Sequence, residues 1–135
     1  MKILAVDYGM ARTGLAECDV MQTIATPIRS VPSWDEQKLL DEICAVVKDH
    51  RIELIVVGRP LRTDGQSSDM ASKAEAFAQK LKELTGKPVD MLDERFTTVI
   101  ASKRLHENAH KAKDQRSVID AAAAAVLLED YMRTH

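Results

Sequence analysis

Aromatic side chains are scarce in this chain, at 4% of residues, with one tryptophan, two tyrosines and two phenylalanines. That scarcity argues against a surface of successive stacked bases, the kind single-strand binders use. Cysteine is nearly as rare. Cys18 and Cys44 stand far apart with no metal-ligand spacing to each other or to the histidines, so no zinc site is expected and a reducing, cytoplasmic setting fits best. No apolar run approaches the roughly 18 residues of a membrane helix. The short run after Met1-Lys2 is broken by Asp7, which argues against a signal peptide. Positive charge is not in excess either. The net charge is −2, so nucleic-acid binding would have to rest on a local basic patch or on metal ions bridging carboxylates to phosphates. There is no internal repeat, and no linker divides the chain.

What is present reads as one domain over residues 1–135, with 45% apolar and 30% charged residues. Ile3 to Val6 is a buried strand by pattern. Gly14 to Cys18 and Thr26 to Val31 follow after short turns, which suit antiparallel neighbours. Ser33-Trp-Asp-Glu36 has the capping-box pattern, and Leu39, Leu40, Ile43, Val46 and Val47 recur at helical spacing, predicting a helix over 34–50. A strand is expected within Glu53 to Gly58, then a polar loop from Arg59 to Ser67. A helix from Ser68 to Thr85 should end at Gly86, with Pro88 preventing continuation. Val89 to Leu92 is a further strand, and Thr97 or Thr98 could cap a short helix to His106. Residues 107–113 form a polar stretch, and a final helix capped by Asp114 should run to Met132. This alternation predicts a single sheet with helices on both faces.

Three acids sit oddly against this pattern. Asp7 ends the first strand-like run, Glu94 follows another, and Asp120 leads into the apolar helical segment from Ala121 to Leu128. An ionised carboxylate drawn out of water costs several kcal/mol unless compensated. Three such acids at the ends of apolar elements suggest a metal site.

Four motifs occur in order: Asp7-Tyr-Gly-Met-Ala-Arg-Thr-Gly-Leu-Ala16; Val57-Gly-Arg-Pro-Leu61 with Asp64-Gly65; Asp93-Glu-Arg-Phe-Thr-Thr98; and Asp120-Ala-Ala-Ala-Ala-Ala-Val126. Together they resemble the YqgF family, the Holliday-junction-resolvase-like proteins also described as pre-16S ribosomal RNA nucleases. The resemblance covers nearly the whole chain. It implies an α/β, ribonuclease H-like fold, with a mixed five-stranded sheet whose first three strands are antiparallel. It also implies an acidic triad of Asp7, Glu94 and Asp120, both catalytic and metal-binding. Thr13 departs from the pattern, standing where an aliphatic residue is expected after Arg12.

The chemistry can be argued from the residues. Phosphodiester hydrolysis needs an activated water, a neutralised phosphate and a stabilised leaving oxygen, and two divalent ions about 3.5–4 Å apart supply all three. Mg²⁺ or Mn²⁺ would therefore be the cofactor, with carboxylates as ligands. Each acid has a plainer alternative. Asp7 could form an Asx turn before Gly9, Glu94 could pair with Arg95, and Asp120 could simply favour the helix dipole. Asp93 rivals Glu94, because adjacent strand residues point to opposite faces; only the resemblance selects Glu94. Asp120 shares a helical stripe with Ala123, Ala124 and Leu127, whose small residues would let it approach the sheet. Candidate nucleic-acid contacts are Arg12, Arg59 and Arg62, Thr97 and Thr98 at a helix N-terminus, and Lys111, Lys113 and Arg116 in the one basic stretch. Arg12 has the stronger case, its alternative being a structural pair with an acid; Arg59, Arg62 and the basic stretch have solvated loop positions as theirs, and the threonines are most simply caps.

The reading is a metal-dependent nuclease on structured RNA, with 5′-end maturation of pre-16S rRNA implied by the resemblance. The nearest alternative is a Holliday-junction resolvase on branched DNA, and another is a non-catalytic RNA-binding ribosome-maturation factor. Monomer and homodimer both remain open, symmetric junction cleavage favouring the dimer. Asp7-x-Gly9-x-x-x-x-Gly14 also fits the first phosphate loop of actin-like nucleotide binders, but these need two lobes and 135 residues supply one.

Overall fold

The structure is a computed structural model that describes the backbone of residues 1–9, 11–60, 69–94 and 115–134. Side chains are described over the same ranges except 59–60, 69–70, 94 and 115–120. Five strands form one mixed sheet: β1 (Ile3–Asp7), β2 (Arg12–Cys18), β3 (Ala25–Pro32), β4 (Leu54–Pro60) and β5 (Val89–Glu94). Their order is β3-β2-β1-β4-β5. β1, β2 and β3 form the expected antiparallel meander, while β4 runs parallel to β1 and β5 parallel to β4. The carboxyl ends of β1, β4 and β5 therefore open on one end of the sheet.

Strand alternation assigns the two faces. Leu4, Val6, Leu15, Val31, Ile55 and Val57 form one side and cluster with α1 (Glu36–Asp49) and α2 (Asp69–Thr85). Ile3, Ala5, Cys18 and Val56 form the other side, beneath α3 (Gln115–Thr134), which contributes Leu127, Leu128 and Tyr131. A second contact brings Ala124 and Ala125 of α3 onto Ala16, with Ala25 packed alongside. Alanine on both surfaces lets this helix lie close to the sheet.

Several boundaries differ from the sequence expectation. α1 is capped not by Ser33 but by Asp35, whose side chain accepts from the Lys38 N–H at 3.2 Å. Ser33 is engaged elsewhere. Its hydroxyl lies 2.8 Å from that of Thr13, and its N–H donates to the Ala11 carbonyl at 2.9 Å. The five predicted apolar residues of α1 are all buried. Gly86 adopts φ +69° after α2, as a C-cap glycine should. β4 and β5 each run two residues further than their apolar cores, so Arg59 and Pro60 belong to a strand rather than a loop. Their pairing with Asp93 and Glu94 extends the ladder. The expected helix capped by Thr97 or Thr98, the polar stretch 107–113 and the Asp114 cap lie outside the described residues. Among the described residues, no helix is long and apolar enough to cross a membrane.

Candidate functional site

Asp7 closes β1, half-buried, opposite Gly14 of β2. Its place in the strand puts it in the alternation set of Ile3 and Ala5, hence on the α3 face. The turn that follows is tight. A Cβ on Gly9 would run into the Arg12 backbone carbonyl, so only glycine lets the chain double back here. Tyr8 anchors the turn on the opposite face, its ring 4.5 Å from that of Phe77 of α2. Burial and the nearby Glu36 carboxylate push the Tyr8 phenol up.

β5 separates the two rival acids by face. Val89 and Met91 pack on the α1–α2 side, whereas Leu92 packs on the α3 side. Asp90 also belongs to the α3 side, because its carboxylate accepts from the Tyr131 hydroxyl of α3 at 2.8 Å. Position 94 follows in the set of 90 and 92, and position 93 in the set of 89 and 91. Asp93 is exposed. The register thus places Glu94, and not Asp93, on the face and at the sheet end that carry Asp7.

Asp120 reaches the same level by helical geometry. Ala124 clusters with Ala16, and Ala16 is the register partner of Ala5. One helical turn back from Ala124 rises about 6 Å, and two residues on from Ala5 rise about 6.6 Å. Position 120 therefore stands level with Asp7. The stripe to which it belongs is buried, with Ala123, Ala124 and Leu127 all at most 3% exposed. α3 runs antiparallel to β1, since Tyr131 near its C-terminus meets Asp90 at the start of β5. Its N-terminal half points to the carboxyl end of the sheet.

The acids at 7, 94 and 120 thus share one face and one end of the sheet by backbone position. The side chains of 94 and 120 are outside the described set, and among the described residues no group of three His, Cys, Asp or Glu is gathered to hold a metal. The donor chemistry nevertheless fits a hard divalent cation, which takes carboxylate oxygens from one or two residues and completes its shell with water and phosphate.

Of the candidate phosphate contacts, Arg12 falls in the alternation set of Gly14 and Ala16, on the same face as Asp7 and beyond it toward the open end. It is half-buried and already engaged in an interaction. Arg59 pairs with Asp93, in the set of the opposite face, so its strand position separates it from the acids. Arg116 lies in the first turn of α3 by backbone. Arg62, Thr97, Thr98, Lys111 and Lys113 lie outside the described residues. A cavity of about 600 Å³ opens at the far end of the sheet between the C-termini of α1 and α2, lined by Lys48, Arg51, Leu84 and Lys87 among others. It contains none of the three acids.

Two features of the site's frame were not anticipated from sequence. The Asp90–Tyr131 bond fixes α3 to β5, and its signal would have been an acid four residues before Glu94 in the same strand phase. The Gly9 contact could be suspected only from the shortness of the turn.

Comparison with known proteins gives this geometry a lineage. Solved structures with the same fold include Thermus thermophilus RuvC bound to a Holliday junction substrate (TM-score 0.60, 15% identity, 99% of this chain and 96% of that one). The fowlpox virus resolvase in complex with junction DNA is another (TM-score 0.58, 13% identity, 99% and 98%). At these identities the likeness speaks for the ribonuclease H-like fold alone. A Rhodopirellula baltica protein described as "Putative pre-16S rRNA nuclease" is 38% identical, over 97% of this chain and 76% of its own length. A Bacteroides fragilis protein of the same description is 37% identical, over 98% and 96%. The family model described as "RuvX: Holliday junction resolvase" matches residues 1–134, and the chain belongs to that family, the one the YqgF-like motifs point to.

Proposed function

We propose that this chain is a divalent-metal-dependent nuclease that hydrolyses phosphodiester bonds in structured RNA, acting in the cytoplasm to mature the 5′ end of pre-16S rRNA. The observation that carries the reading is the convergence of positions 7, 94 and 120 on one face at the carboxyl end of β1 and β5. Membership of the RuvX family and the descriptions of the relatives support it.

Asp7, Glu94 and Asp120 would hold one or two Mg²⁺ or Mn²⁺ ions, which when bound supply an activated water and neutralise charge on the phosphate. The protein's part is geometric. Asp7 sits on a central strand with neighbours on both sides, so its carboxylate starts from the most constrained backbone and suits the bridging role. Arg12, on the same face, would neutralise a phosphate next to the one being cleaved. The close packing of Ala124 on Ala16 supports a short side chain at 120 as a ligand.

Purified protein incubated with an RNA bearing the precursor 5′ extension should cleave it with Mg²⁺ or Mn²⁺ and not with EDTA. Asp7→Asn and Asp120→Asn should lose the activity. The family description favours one second reading, branched DNA as substrate, and a four-way DNA junction run in parallel tests it. Cleavage of the junction alone would replace RNA processing with resolution. RNA binding without cleavage in any metal would leave a non-catalytic maturation factor, and an Asp7→Asn chain that still supports ribosome maturation in cells would agree with it.

A further inference from the structure

Trp34 is the chain's single tryptophan, and it is 80% exposed. An indole left in water is unusual, since burying so large an apolar surface is strongly favoured. Among the described residues, the other large hydrophobic side chains left exposed are Met1, Val20, Met21, Ile24 and Leu84. All of them lie at the amino end of β1 or at the C-terminus of α2, away from the acids. Among the described residues, Trp34 is the one exposed large hydrophobic at the acidic end.

Its placement follows from the register. β3 runs parallel to β1, and Asp7, Gly14 and Ser30 lie side by side across the meander. Trp34 comes two residues after β3 ends at Pro32, and β3 lies two strands from β1, so it stands at the sheet end where Asp7 closes β1. The backbone around it is held on both sides. Ser33 is bonded to Ala11 and Thr13, and Asp35 caps α1. Trp34 is thus a large flat side chain on a fixed mount at the acidic end of the sheet, just past the register pair of Arg12 and Pro32 on the edge strand.

We infer that Trp34 is a stacking platform for an unpaired nucleobase flanking the scissile phosphate. The inference rests on the nuclease reading and adds to it a named contact outside the carboxylates. Base–aromatic stacking is indifferent to sequence, because every base presents a π-face. It would fix the register of a single-stranded segment without demanding particular bases. The low aromatic content excludes an extended stacking surface; it leaves room for one anchor.

As the only tryptophan, Trp34 reports on itself. Full-length wild-type protein in EDTA, and the Asp7→Asn variant in Mg²⁺, would be titrated with a single-stranded RNA of about ten nucleotides, with indole emission excited where tyrosine does not absorb. Quenching that saturates with RNA is expected. In cleavage assays of the 5′-extended RNA, Trp34→Ala should raise KM about tenfold with kcat unchanged, and Trp34→Phe should recover most of the loss. Circular dichroism would confirm that both variants fold. If wild-type protein cleaves the RNA while emission does not change, or Trp34→Ala leaves KM unaltered, the platform is overturned and the nuclease reading stands. If the RNA is neither bound nor cleaved, both fall.

Discussion

Thr13 and Ser33 share a hydrogen bond of 2.8 Å between their hydroxyls, with Thr13 wholly buried. Where the family resemblance leads one to expect an aliphatic side chain, this chain has a polar group with its own partner from the end of β3. Removing one partner strands the other, whereas removing both need not cost much. Thr13→Val alone should therefore destabilise by about 1 kcal/mol, and Thr13→Val with Ser33→Ala should recover most of it. Urea unfolding of the two single variants and the double variant measures the coupling.

Gly9→Ala should be far more damaging than an exposed glycine substitution. The added methyl meets a backbone carbonyl rather than a flexible side-chain end, so the turn itself must move. A cost of about 1–3 kcal/mol is expected. Because the turn follows Asp7 directly, the rate of RNA cleavage should fall as well. Preserved cleavage at a lowered melting temperature would detach the turn from the site.

The two adjacent acids of β5 should separate sharply. Glu94→Gln is expected to lower the cleavage rate by about 100-fold or more, since the metal-ligand role we propose for it would contribute several kcal/mol to transition-state stabilisation. Asp93→Asn, in the strand phase of Val89 and Met91, should cleave at close to the wild-type rate. Single-turnover cleavage of the 5′-extended RNA by each variant decides it, and the reverse result would mean that β5 shifts register at its end.

Tyr131 gives the fold an alkaline limit. Burial, followed by its hydrogen bond to the Asp90 carboxylate, pushes the phenol from 10.0 up to about 12. The folded state holds the proton more tightly than the unfolded chain, so this contribution is complete below pH 10 and is lost as pH rises toward 12. Tyr131→Phe should cost about 1 kcal/mol at neutral pH and flatten the loss of stability above pH 10. Chemical denaturation of wild type and variant across that range is the check.

Much of the fold was legible in the sequence, because most of its signals are local. The helical spacing of Leu39, Leu40, Ile43, Val46 and Val47 marks the buried side of α1, and Gly86 marks the end of α2. Legibility failed where a residue's role depends on a distant partner. Ser33 fits the cap position by pattern, yet its hydroxyl is held by Thr13, twenty residues away. Arg59 and Pro60 look like loop residues until β5 extends alongside them. The choice between Asp93 and Glu94 needs to know which strand residues α3 covers, and periodicity carries no such information.

The way α3 leans on the sheet has a mechanical consequence. The helix packs chiefly over the β1–β2–β3 meander and barely touches β4 and β5, apart from the Tyr131 pin near its far end. Positions 7 and 120 therefore stand on elements packed against each other, and position 94 on a strand that the helix barely touches. In the site we propose, a shift of α3 against β5 would alter the 94–120 separation and leave 7–120 almost unchanged. The third carboxylate would then be the one free to adjust to a bound phosphate.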